Sequence, residues 1–145
     1  MKKICVGILV MLSMFLMVGC ANRSVEERFE VSLYVSTTSI NYGEAVQVEI
    51  TLRNLGRRSR IYFFGSPVAL ALITDSSDYI PVIPGPPNNM RSSLVVNSGE
   101  EKKFIVGFWA PSQGEHLIEA RAVFALSRRG NFVTIASERV TITAT

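Results

Sequence analysis

From Val46 to Asn54 the chain reads V-Q-V-E-I-T-L-R-N, so Val46, Val48, Ile50 and Leu52 are separated by Gln47, Glu49, Thr51 and Arg53. This alternation of apolar and polar residues marks a strand with one face on a core and one in water. Such a strand needs neighbours in its own sheet and a second sheet to cover it. The pattern recurs at Phe29, Val31, Leu33 and Val35, at Phe104, Val106 and Phe108 within Lys103–Trp109, and at Ile118, Ala120, Ala122 and Phe124 within His116–Ser127. Shorter apolar runs at Ile61–Phe64, Val68–Thr74, Met90–Asn97, Phe132–Ala136 and Val140–Thr143 supply further strands. Thr37 to Glu44 reads as a polar connection. Tyr79 to Asn89 carries Pro81, Pro84, Pro86 and Pro87, and reads as a stiff loop with room for an edge-strand pair at its start, because proline has no N–H to give a central ladder.

Arg128-Arg129-Gly130-Asn131 reads as a tight hairpin turn between two apolar runs. No helical period of useful length follows the N-terminal segment. Many short strands with turn residues between them predict an all-β chain with a single immunoglobulin-like or fibronectin-like antiparallel β-sandwich over residues 29–145. Val48, Ile50, Phe104, Val106, Phe108 and Phe124 are its expected core.

The N-terminus has a different character. Lys2 and Lys3 precede an apolar run from Ile4 to Val18, and Gly19-Cys20 follows, which is the layout of a secretory signal over residues 1–19. The run is shorter than the roughly 20 residues a membrane span needs. Cys5 leaves with the signal, so Cys20 is the one cysteine of the remaining chain, and no internal disulfide can form. Removing Lys2 and Lys3 from the 15 basic residues leaves 13 against 12 acidic ones, a net charge of +1 that points to no nucleic-acid partner. Residues 20–28 read as a short polar tether ahead of the domain.

Some of these residues are similar to known families. Leu16 to Cys20, L-M-V-G-C, resembles the lipobox of bacterial lipoproteins, which implies that Cys20 is acylated and becomes the new N-terminus. Ala21 after that cysteine, rather than Asp, implies the outer membrane in a cell that has two. Val48–Asn54, the turn and strand from Val96 to Trp109, and Gly114–Ala120 resemble bacterial immunoglobulin-like modules, and among these the domain of the intracellular proteinase inhibitor, or BsuPI, type. That likeness implies inhibition of a protease or another envelope enzyme as an alternative function. His116 stands where the family pattern has tyrosine.

Catalytic chemistry finds little to use in this chain. His116 is its single histidine, expected to fill a tyrosine-corner position with its ring bonded to backbone, and the acids are spread along turns and outward strand faces. No catalytic residue, metal ligand or cofactor is expected. Trp109 is expected to pack at a strand end. Arg57, Arg58 and Arg60 follow the central strand, while Arg128 and Arg129 occupy the last hairpin. In immunoglobulin-like topology these two connections share one end of the sandwich, where five guanidinium forks can meet carboxylates or phosphates. Solvated loop charges are the plainer reading of the same residues. The expectation is a non-enzymatic, lipid-anchored cell-envelope module whose partners are the membrane, through its lipid, and an envelope protein or other anionic surface.

Overall fold

The computed structural model describes residues 24–64, 68–75, 79–84 and 91–145; the apolar N-terminal segment, Cys20 and the Pro86-Pro87 pair lie outside the described residues. Strand β3 (Ala45–Asn54) forms on the alternating stretch and turns Val46, Val48, Ile50, Leu52 and Asn54 inward. It lies between β1 (Phe29–Val35) and β8 (Glu101–Trp109), antiparallel to both. The register aligns Leu33, Ile50 and Phe104 in one row and Val35, Val48 and Val106 in the next. Those rows bury large apolar side chains on one face of the sheet, and cross-strand packing of this kind fixes the register.

The facing sheet has the order β2 (Ser39–Ile40), β11 (Val140–Ala144), β9 (Gly114–Phe124), β5 (Val68–Thr74), β6 (Tyr79–Pro84), with β10 (Val133–Ala136) also paired to β9. Ile118, Ala120, Ala122 and Phe124 of β9 join the residues of β3 in a single apolar core. Phe29 and Phe124 meet edge to face across the two sheets, with centroids 5.0 Å apart. A separate pair, β4 (Ser59–Phe64) with β7 (Arg91–Val96), is tied to the end of β9 by a bridge in which Tyr62 and Ala125 exchange backbone hydrogen bonds of 2.8 and 3.0 Å. The chain is thus an immunoglobulin-like, all-β sandwich. Of the expected core, Val48, Ile50, Phe108 and Phe124 are fully enclosed, and Phe104 and Val106 are partly buried against it.

Several sequence expectations are corrected. Ser39–Ile40 lies in the stretch expected to be a connection, yet pairs in parallel with the last strand, because Ile40 is apolar and buried there. The edge-strand pair allowed at the start of the proline-rich stretch is present, because Tyr79–Pro84 lies at the sheet edge, where only one side of the backbone needs ladder partners. Arg60 belongs to β4 rather than to a loop. β9 ends at Phe124, since Ala125 is taken by Tyr62, and the expected tight turn becomes a longer connection closed by a Gly130 N–H to Ser127 carbonyl bond of 3.2 Å. Finally, Ser24 to Arg28, expected as tether, is docked structure. Helix α1 (Val25–Arg28) starts with a capping box between Ser24 and Glu27, and Val25 packs against the core.

Candidate interaction surface

Asn54 organises the end of the sandwich where the arginine loops lie. It is the only polar residue at the inward phase of β3, and it is completely buried. Its amide donates to the carbonyls of Val96 at 2.9 Å and Arg57 at 2.8 Å, and its side-chain oxygen accepts from the Gly56 N–H at 2.9 Å. The Leu55 N–H then donates to the carbonyl of Arg28 at 2.7 Å. These bonds set the path of Leu55–Arg58 and tie it to both α1 and β7.

The second arginine loop reaches the same end through the antiparallel Tyr62–Ala125 bridge. Moving backward from Tyr62 to Arg60 and forward from Ala125 to Arg128 leads in one direction out of the sheet. Arg128 shares a shallow pocket of about 270 Å³ with Tyr62, Ser92 and Ser93. The structure therefore brings Arg57, Arg58 and Arg60 to the same end as Arg128 and Arg129, all five exposed. Arg57, Arg58, Arg60 and Arg129 make no ion pair with a described carboxylate. Three of the acids nearby are engaged elsewhere: Glu27 caps Ser24, Glu100 pairs with Lys102, and Glu101 pairs with Arg53. The Glu100 carboxyl lies below its ordinary range because the Asn97 backbone N–H donates to it, with Lys102 adding to the effect.

Sequence reading marks Asn54 only as the end of the central strand and passes over Leu55 and Phe132. Asn54 had a legible signal, a polar residue at a core-phase position, which must be hydrogen-bonded when buried. Leu55 and Phe132 had only a weak one, as single apolar residues within N-L-G-R-R and R-R-G-N-F. Their side chains are nearly half exposed, at 45% and 46%.

Other polar groups are structural. His116 is 6% exposed, and its Nε2 lies 2.8 Å from the Ser112 carbonyl. A carbonyl only accepts, so Nε2 carries the proton and the ring closes the Ser112–His116 corner. Asp75 Oδ2 stands 3.8 Å from Nδ1, beyond hydrogen-bond reach. On the outward face of β9, Glu119 accepts from Arg121 at 2.8 Å and from Arg139 at 3.0 Å. Arg121, and after it Arg139, hold the Glu119 carboxyl below the ordinary range although burial works against them. They line an open groove of about 370 Å³ with Ile73, Thr74 and Leu117, in which the one Glu119 carboxylate is shared by two guanidiniums. Among the described residues no three of His, Cys, Asp and Glu converge as metal ligands.

Trp109, the last residue of β8, packs its ring over Gly107 on the outer face of that strand and is 61% exposed.

No protein-family model matches the chain, and no curated protein is similar to it. Among solved structures it is similar to a CARDB domain from Pyrococcus furiosus, crystallised with di-metal ions, at 12% identity and a TM-score of 0.49 over 81% of this chain and 87% of that one. It is also similar to Spo0M, a sporulation control protein of Bacillus subtilis, at 15% identity and a TM-score of 0.46 over 81% and 49% of the respective chains. A PapD-like domain of human CEP192 is similar at 12% identity and a TM-score of 0.43, over 87% and 91%. Likeness this distant says nothing about what the present chain binds.

Proposed function

We propose that this chain is a lipid-anchored, non-enzymatic module of the bacterial cell envelope that uses its arginine-bearing end to hold an anionic surface. The observation that supports this reading most is the placement of Arg57, Arg58, Arg60, Arg128 and Arg129 at the end where the described chain begins, at Ser24. From Cys20 to Ser24 the chain spans at most about 14 Å when fully extended. With acylated Cys20 in a membrane, the arginines face that membrane or whatever lies against it. Arginine suits the task because its planar fork binds carboxylate or phosphate oxygens in pairs and keeps its charge.

Replacing the five arginines by Ser, in a chain carrying Cys20→Ser and lacking residues 1–19, tests the reading. The parent should bind anionic liposomes or an acidic envelope protein in a salt-sensitive way. The five-fold variant should lose that binding and keep its melting temperature. Equal binding by parent and variant would remove the assignment.

A further inference from the structure

Of the large apolar side chains exposed on the described surface, Leu55 and Phe132 are the two that lie within the arginine loops. They reach one end by separate routes. Leu55 is bonded to Arg28 through its backbone N–H, and Phe132 immediately precedes β10, whose first residue, Val133, pairs with Phe124 at the end of β9. Phe124 in turn packs on Phe29, the residue after α1. The end therefore presents two apolar tips beside Arg57, Arg58, Arg128 and Arg129.

Resting on the function proposed above, we propose that the anionic surface is the bilayer that carries the protein's own anchor, and that Leu55 and Phe132 insert into its interfacial layer while the neighbouring arginines engage lipid phosphates. Chain geometry favours this occupant. The stretch between Cys20 and Ser24 is too short to let the domain swing far from its anchor. Val25 packs into the core and Ser24 and Glu27 close the capping box, so no slack is added by α1. Charge and polarity agree with an interface, where an apolar residue enters the acyl boundary and the adjoining basic residues stay at the headgroups. An acidic protein would match the charge but not the two exposed apolar side chains, Leu55 beside Arg57 and Arg58 and Phe132 beside Arg128 and Arg129.

Trp109 makes the test internally controlled, since it is the chain's sole tryptophan and sits at the far end of β8. The nine residues of β8 place it about 27 Å from the arginine end. The intact acylated protein is reconstituted into vesicles of phosphatidylglycerol and phosphatidylethanolamine containing brominated lipid. Two Trp probes, Phe132→Trp and Leu55→Trp, each in a Trp109→Phe background, are compared with the wild type. Both probes should show blue-shifted emission and at least several-fold stronger quenching than Trp109. In the chain without acylation, Leu55→Ser/Phe132→Ser should weaken vesicle binding at least tenfold with the melting temperature retained. Quenching of both probes no stronger than that of Trp109 overturns the inference. If that result accompanies arginine-dependent capture of an acidic protein, insertion is refuted while the basic end keeps its proposed role; if arginine replacement changes no binding and the probes still quench, the tips alone hold the surface and the role given to the arginines is refuted.

Discussion

Replacing Asn54 by Ala should cost this domain about 3 kcal/mol. The side chain makes three hydrogen bonds, and they are not equivalent. The bond to the Val96 carbonyl is buried, so its loss leaves an acceptor where water cannot reach easily, at roughly 1 to 3 kcal/mol. Those to Gly56 and Arg57 lie nearer the surface, where water takes over part of the role, and are worth about 0.5 kcal/mol each. Against a total stability of about 5 to 15 kcal/mol for a single domain, that loss is large but survivable. Urea unfolding followed by circular dichroism measures it.

Asn54→Asp sharpens the test. The substitution keeps the shape and the Gly56 contact but turns the donating NH₂ into an oxygen facing two carbonyls, and it buries a charge with no cation partner. At neutral pH it should destabilise more than Asn54→Ala. Burial and carbonyl repulsion raise the folded-state pKa of the new acid, so the penalty applies above its unfolded value and shrinks as acidification protonates it. The reasoning fails if Asn54→Ala stays within 1 kcal/mol of wild type, or if Asn54→Asp is the milder change at pH 7.

Three further outcomes are expected. Ile50→Ala or Phe108→Ala should cost about 2 to 5 kcal/mol in the same melts, and Gln47→Ala almost nothing, because the first two are enclosed and the third faces water. Glu119→Gln should lower stability at neutral pH: the folded carboxyl titrates below its ordinary 4.5, so its contribution is full above that value and fades as pH falls through the lower one, making wild type and variant converge in acid. In the cell that produces it, mature protein should lack residues 1–19 and carry fatty-acyl mass on Cys20, with Cys20→Ala giving an unacylated product; an unmodified Cys20 in intact-mass spectra would refute the anchor.

The strands of the core were legible wherever burial has a period. In β3, β8 and β9 the inward residues are apolar apart from Asn54, Lys102 and His116 near the strand ends, and the outward residues of β3 and β9 are mostly polar, so the face follows from the sequence alone. Local pattern failed where the deciding partner is remote. Nothing within T-T-S-I-N-Y announces that Ser39–Ile40 will pair with Thr143–Ala144, and nothing near Ala125 says that Tyr62 will end β9 there. The misread of Ser24–Arg28 had another cause. S-V-E-E carries its capping box in plain view, but a single turn shows no helical period, and only the packing of Val25 distinguishes it from a tether.

Charge and position were legible to different degrees at the arginine end. Clusters at Arg57–Arg60 and Arg128–Arg129 stand out in any reading, whereas their meeting depends on how the chain crosses between sheets. In the structure β3 delivers Asn54, β9 delivers Ala125, and β1 begins from Arg28, all at one end of the two layers. That convergence follows from antiparallel pairing of β1 with β3 and from the Tyr62–Ala125 bridge, so it is held by backbone hydrogen bonds rather than by contacts among the arginines. Exposed like charges would by themselves move apart. Here the sheets hold them together, and Arg57, Arg58, Arg60 and Arg129 make no ion pair with a described carboxylate.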